Sequence, residues 1–157
     1  PGTAVFVPAL NGIGSPWWRP DAVGTLTGLT ASTTRAQVAR AGIDSVAHQV
    51  CDIVDALDPG RAFPLLHAGG GATASEVLMQ SQADLLGRTL LVSAVADISP
   101  VGAAALAWRA LGVPLAPAAG LVPRLVHPSA DADARRAAAR ESWRDALVRA
   151  GVPRLQN

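Results

Sequence analysis

Apolar and polar positions alternate along the chain in a way that predicts strands and helices in turn. Four short apolar runs have the length of buried strands, at residues 4–9, 25–29, 65–67 and 89–95. Four longer segments repeat apolar residues every three or four positions, which predicts amphipathic helices at about 35–57, 73–87, 100–111 and 131–150. Strands that alternate with helices indicate an α/β structure with helices packed on a sheet.

The longest predicted helix begins after Thr34, because Thr34 and Gln37 have the spacing of a capping box, and it ends before Pro59. Its apolar positions step by three and four, and we expect this stripe to pack on the sheet: Ala39, Ile43, Val46, Val50, Ile53 and Leu57. Cys51 lies near the edge of the stripe, where a small packed residue is favoured over a nucleophile.

On another face of the same helix, Asp44, His48 and Asp52 recur every four residues. That spacing could hold a metal ion. Two carboxylates around a histidine on a polar helix face more often form a solvated charge pair, and this is the interpretation that we adopt. We therefore assign no metal ligand.

Residues 65–87 predict a strand, a glycine turn and a helix in immediate succession. The three glycines at 69–71 permit positive φ and close approach of a ligand, and the first N–H groups of the next helix face the same place. An anion-binding turn is one prediction, and a tight connection without a ligand is the alternative. Thr73 and Glu76 have capping-box spacing at the start of the helix. Its apolar stripe consists of Leu78, Met79, Ala83, Leu85 and Leu86.

Other segments have a structural interpretation. Trp17 and Trp18 follow a turn-rich loop, where anchoring to the core is favoured over stacking on a ligand. Ser99 is expected to cap the third helix, with Pro100 at its first position. Residues 114–128 are predicted to be a Pro-rich connector. The last helix carries its apolar residues on one side: Ala139, Trp143, Leu147 and Ala150.

Composition excludes several function classes. The chain has 157 residues, of which 50% are hydrophobic and 16% charged, with a net charge of +1, so nothing favours nucleic acid or an anionic membrane as a partner. Every basic residue other than histidine is arginine, which excludes a Walker A lysine and a Schiff-base lysine. Cys51 is the only cysteine, and no membrane span or signal peptide is visible, so we expect a cytoplasmic protein.

Four segments in chain order carry a resemblance to a known family: FVPALNGIGSPWWRPDAVGTLTGLT, RAGIDSVAHQVCDIVDAL, GGGATASEVLMQSQADLLG and VGAAALA. Together they resemble the C-terminal domain of the FGGY carbohydrate kinases, with glycerol kinases as the nearest branch. The resemblance covers nearly the whole chain, so residues 1–157 are expected to form part of one such domain. It implies an actin-like, ribonuclease H-like lobe that is incomplete on its N-terminal side.

The resemblance also implies an activity. Kinases of this family transfer a phosphoryl group from MgATP to a sugar or polyol hydroxyl between two lobes, so ATP and Mg²⁺ are the implied cofactors. The nucleotide is expected over Gly70 and Gly71, and near Ser75, where glycerol kinases have an asparagine. The family's phosphate loop, polyol-binding residues and general-base aspartate match nothing here. No catalytic residue is assigned, and a substrate is expected to bind through a missing N-terminal lobe.

Two other functions remain open at this point. The chain could be a non-catalytic remnant, or an interaction subunit that associates with another lobe or with a copy of itself. A Rossmann dinucleotide module is disfavoured, because the three glycines are contiguous and residues 94–100, after the following strand, offer Asp97 as the only acidic candidate.

Overall fold

The computed structural model describes residues 4–95, 97–113 and 122–154. Strands and helices alternate through most of this part of the chain, as the sequence pattern predicts. In order they are β1 (Val5–Val7), β2 (Thr25–Thr27), α1 (Arg35–Leu57), β3 (Leu65–Ala68), α2 (Glu76–Leu86), β4 (Thr89–Val92), α3 (Ile98–Ala110), β5 (Arg124–Val126) and α4 (Ala132–Arg149). None of the described helices is long and apolar enough to cross a membrane.

The strands form two small sheets. β1 and β2 pair antiparallel, with Val5 opposite Thr27. In the second sheet the order is β3-β4-β5; β3 and β4 are parallel, and β5 is antiparallel to β4. The parallel pair is connected through α2, as adjacent parallel strands usually are joined by a helix. The carboxyl ends of β3 and β4 therefore lie side by side.

α1 begins as predicted, with a capping box between Thr34 and Gln37, but its buried face was predicted only in part, since Ile43 and Val50 of the expected stripe are half-buried against the core. Val46 and Leu57 of the expected stripe are exposed. The buried positions are instead Ala41, Ser45, Ala47, His48, Cys51 and Asp52. The polar residues His48 and Asp52 can be buried here because α4 supplies a partner: Arg140 donates to His48 and to Asp52.

α2 buries the predicted stripe, but its start was predicted wrongly. Residues Gly71–Ala74 form a separate 3₁₀ turn, so the N-cap is Ser75 and not Thr73. The Thr73 hydroxyl donates to the Gly70 carbonyl at 2.7 Å, which closes the 3₁₀ turn instead of capping the helix. Glu76 becomes the first helical residue, where its charge favours the positive end of the helix dipole.

Two further predictions need correction after β4. α3 begins at Ile98 after Asp97, so Ser99 lies in the first turn and does not cap it. The expected connector contains a strand, β5, whose Val126 packs on the core beside Leu90; residues 114–121 of that connector lie outside the described part. α4 agrees with the sequence prediction to within one residue at each end.

Buried apolar residues gather into two clusters, here called the first and second core. The first core joins β1, the loop after it and α4: Val7, Ala9, Ile13, Ala22, Trp143, Ala146, Leu147, Ala150 and Val152. The second core joins α1, α2, β4 and β5: Ala47, Cys51, Leu78, Met79, Ala83, Leu86, Leu90, Val92 and Val126. Trp17 packs against the first core, as predicted, whereas Trp18 is 73% exposed, against the prediction that both anchor the loop.

Candidate functional site

The glycine turn, residues 69–71, lies at the carboxyl end of β3. Gly70 has φ +106° and ψ 170°, a conformation that residues with a side chain rarely adopt. A Cβ atom placed on Gly70 or Gly71 would meet nothing within 4 Å, so the backbone is open to approach from outside. At Gly69 a Cβ would lie 2.7 Å from Cδ1 of Ile98, which brings the start of α3 against the turn.

Two hydroxyls flank the glycine turn in different roles. The Thr73 hydroxyl is engaged as a donor to the Gly70 carbonyl. The Ser75 oxygen accepts from the Leu78 amide at 3.3 Å, so its own proton remains available to another acceptor. Ser75 is exposed and adjoins the first turn of α2. Of the two, Ser75 is the hydroxyl that can bind a ligand without losing a bond of the fold.

An open cleft of about 510 Å³ adjoins the turn at Gly69. Its lining is mainly apolar and comes from the ends of β3 and β4, from the start of α3 and from Pro123. His67 and Ser93 are the polar side chains in the lining, and Ser93 is bonded to the Val95 backbone. Among the described residues that line it there is no arginine or carboxylate. The cleft suits an apolar or planar group better than a phosphate.

The residues considered for a metal ion serve the fold instead. Asp44 accepts from Arg40 and from Ser81, each at 2.8 Å. His48 stacks on Trp143 with ring centroids 4.9 Å apart, and Asp52 bonds Arg140 at 2.7 Å. Within the described ranges no three His, Cys, Asp or Glu side chains come together as metal ligands. The interpretation as a solvated charge pair was wrong for His48 and Asp52, because both are buried.

Burial sets the protonation of two side chains on α1. It lowers the pKa of His48 to about 3, and the positive charge of Arg140 beside the ring acts in the same direction. His48 is therefore neutral, and its Nδ1 accepts from Arg140 at 3.3 Å, which leaves the proton on Nε2. Burial likewise raises the pKa of the Cys51 thiol to about 12, so Cys51 is a packed residue and not a nucleophile.

A second, smaller cleft of about 260 Å³ lies at the opposite end of β3 and contains two arginines. Arg88 is buried, pairs with Asp58 and donates to the Phe63 carbonyl at 3.0 Å. Arg61 donates to the carbonyls of Leu86 and Gly87, where α2 ends. Both guanidinium groups thus hold helix ends and loops together, and the cleft offers a ligand little free charge.

The structure brings the three predicted binding residues into one exposed segment. Gly70, Gly71 and Ser75 lie within six residues of chain, joined by the 3₁₀ turn. Sequence reasoning missed Ile98 and His67, which border the adjoining cleft. The signal was present in β3, where Leu66 and Ala68 pack on the second core, so the alternate residues Leu65 and His67 must face the other side.

Comparison with known proteins adds an independent line of evidence. The model of the C-terminal domain of the FGGY family of carbohydrate kinases matches residues 1–111. A glycerol kinase from Alkalilimnicola ehrlichii is 46% identical over 114 residues, which are 71% of this chain and 23% of that protein. An apulose kinase from Pectobacterium atrosepticum is 47% identical over 109 residues, 68% of this chain and 22% of that protein.

The fold is shared with a solved glycerol kinase. The crystal structure of Plasmodium falciparum glycerol kinase with ADP matches 97% of this chain and 31% of its own, with 26% identity and a TM-score of 0.75. Its match extends beyond residue 111 and so includes most of the segment that contains β5 and α4. The chain spans about a quarter of the length of the curated relatives that it matches.

Proposed function

This chain belongs to the FGGY family of carbohydrate kinases, and we propose that its 157 residues form part of the nucleotide-binding lobe of such a kinase. The lobe would bind ATP as its Mg²⁺ complex. The reaction would be transfer of the γ-phosphoryl group to a hydroxyl of a sugar or polyol. Glycerol and apulose kinases both occur among the relatives, so the acceptor class proposed here is a small polyol or sugar rather than one compound.

The observation that carries this proposal is the open backbone at Gly70 and Gly71. A phosphate or ribose oxygen can approach these residues without meeting a side chain, since the Cβ positions are empty. The free proton of Ser75 adds one donor nearby. Backbone and hydroxyl donors of this kind can fix the position of a nucleotide. Proteins catalyse phosphoryl transfer largely by such positioning.

The counter-charge, the general base and the alcohol-binding groups would come from outside this chain. The cleft beside the turn lacks arginine and carboxylate in its described lining, so it offers neither a counter-charge for three phosphates nor a base for the alcohol. Mg²⁺ bound to the phosphates would supply the counter-charge. The general base and the groups that bind the alcohol would come from a second lobe. We expect this chain alone to bind nucleotide weakly and to leave alcohols unphosphorylated.

A matched pair of glycines tests the site. Gly71 and Gly60 both have open space at Cβ and lack positive φ, so aspartate fits either position without backbone strain. They lie beyond opposite ends of β3. We expect Mg-ADP, titrated into the isotope-labelled chain, to shift the backbone NMR signals of Gly70, Gly71 and Ser75. Gly71→Asp should weaken binding at least tenfold by placing a negative charge beside the phosphates.

Gly60→Asp is the control and should bind as the unmodified chain does. Equal binding by Gly71→Asp, or shifts confined to other parts of the chain, would remove the glycine turn from the site. Loss of binding in both variants would mean that net charge and not the turn is responsible.

A second candidate function is favoured by α3. No residue of this helix is buried, although Val101, Leu106 and Trp108 are large and apolar, which is typical of a surface that another polypeptide covers. In that case the chain is an interaction subunit without catalytic activity. Release of ADP that depends on an added polyol would exclude this candidate, whereas its absence even with a companion lobe present would favour it.

A further inference from the structure

One carboxylate joins three segments that are far apart in the chain. Asp52 of α1 accepts hydrogen bonds from the indole N–H of Trp143 at 2.8 Å and of Trp17 at 3.1 Å. It also pairs with Arg140 at 2.7 Å. Asp52 is only 7% exposed, so water does not compete strongly for these bonds. Both indoles bond the same oxygen, Oδ2, and Arg140 bonds the other, Oδ1, so both buried carboxylate oxygens have partners.

This cluster lies where the two cores meet. Trp143 belongs to the first core, and Cys51, next to Asp52 in α1, belongs to the second. His48, one turn earlier, stacks on Trp143. Apolar contact can slide with little change in energy, whereas hydrogen bonds from fixed indole and guanidinium groups specify one register. α4 packs on α2, β1 and β2, and these polar contacts together with the ring stack join it to α1.

Trp17 extends the cluster to an exposed loop. The loop, residues 13–19, is closed by paired hydrogen bonds between Ile13 and Arg19, each 2.9 Å long. The Trp17 indole N–H donates to Asp52, which joins the loop to α1. The next residue, Trp18, points outward with φ +50°, a conformation that bulky residues avoid unless the surroundings impose it.

We propose that Asp52 is a positioning residue through which α4 clamps the loop at 13–19 and fixes the direction in which Trp18 leaves the surface. α4 orients the Asp52 carboxylate through Arg140 and Trp143, and Asp52 in turn holds Trp17. Displacement of α4 leaves the carboxylate free to turn and releases the loop. The clamp does not involve the glycine turn, so it stands or fails independently of the proposed nucleotide site.

Amide hydrogen exchange on the complete chain tests the clamp. Trp17→Phe keeps an aromatic ring against the first core and removes the N–H donor together with the five-membered part of the indole. We expect the loop amides of Trp17, Trp18 and Arg19 to exchange at least tenfold faster, while amides of α4 and β4 keep their rates. Asp52→Asn should speed exchange in both the loop and α4, because Arg140 loses its buried partner.

Asp55→Asn is the matched control, since the half-exposed Asp55 also contacts Arg140, at 3.2 Å. It should leave the loop unchanged. Unaltered loop exchange in Trp17→Phe would overturn the proposal. So would a uniform rise across the whole chain, β4 included, because that would mean general destabilisation and not a clamp. If Asp52→Asn does not fold, the comparison of Trp17→Phe with Asp55→Asn still decides.

Discussion

His48 lies between an aromatic ring and a fixed positive charge. Its ring is parallel to that of Trp143 within 5°, and Arg140 faces Nδ1. A proton on the imidazole would place a second positive charge beside Arg140 at a buried position, where Asp52 is already bonded to three donors. The folded state therefore requires a neutral His48, and acid should lower the stability of the fold.

We expect stability to fall as the pH drops from about 6.5 toward 3. The pKa of His48 is about 3 in the folded chain and 6.5 in a free histidine, so between these values the unfolded state binds more protons. The free energy of unfolding should decrease by at most about 1.4 kcal/mol per pH unit from this residue. Urea unfolding at several pH values measures the slope.

His48→Phe keeps an aromatic ring on Trp143 but cannot titrate, so its slope between pH 6.5 and 4.5 should be flatter. Above pH 7.5 the two proteins should show the same slope. An equal slope for both proteins in the acidic range would show that His48 is not the group responsible.

At the scale of elements, the start of α1 could be predicted from the sequence, whereas its buried face could be predicted only in part. The capping box of Thr34 and Gln37 is a local pattern, and α1 begins where it indicates. The buried face of α1 depends on Arg140 and Trp143, which follow about 90 residues later, and no local pattern contains them. The start of α2 was predicted wrongly because Thr73 fits near the beginning of either a 3₁₀ turn or an α-helix, and the local sequence does not distinguish them.

The candidate site could also be predicted only in part from the sequence. The contiguous glycines identified the turn after β3, and the family resemblance selected Ser75. The cleft beside it could not be predicted, since Ile98 reaches Gly69 only through the path of the chain after β4. Val126 was assigned to a connector because a three-residue strand is too short to show periodicity.

Two glycines with similar φ should differ in the substitutions that they tolerate. Gly12 has φ +78° and Gly112 has φ +72°. A Cβ on Gly12 would lie 2.7 Å from the Arg19 carbonyl oxygen and from Cα of Pro20, whereas at Gly112 it would meet nothing within 4 Å. Gly112→Ala should lose about 1 kcal/mol from backbone strain alone. Gly12→Ala should lose roughly 1–3 kcal/mol more, because backbone atoms must move.

Chemical denaturation of both variants measures this difference in the free energy of unfolding. Similar losses would mean that the segment at residues 19–20 can shift without cost, and the close approach at Gly12 would then not restrain the loop.

Across the whole molecule, the apolar surface is unevenly covered. One face of the β3-β4-β5 sheet packs on the second core through Leu66, Leu90 and Val126, whereas Leu65 and Leu125 of the other face are exposed. β3 pairs with a strand on one side only among the described residues, and α3 has no buried residue. Unpaired strand edges and apolar surface promote association.

We expect the isolated chain to self-associate through α3 and the exposed sheet face. Leu106→Glu, which changes a 69% exposed residue of α3, should lower the average mass toward the monomer value of 16.0 kDa. Leu57→Glu changes a residue of α1 that is 79% exposed and should have little effect. Light scattering over a range of concentrations measures both; a monomeric unmodified chain would contradict the expectation.

Because Cys51 is buried, its reaction with a sulfhydryl reagent can report when the second core opens. It is the only cysteine, it is 1% exposed, and its raised pKa keeps the thiol protonated at neutral pH. A sulfhydryl reagent therefore cannot react until α1 separates from α2, so the labelling rate follows the opening of the second core. The first core contains no cysteine and is invisible to the reagent. Labelling compared with the fluorescence of a variant that keeps Trp143 as its sole tryptophan would reveal whether the two cores open together or one before the other.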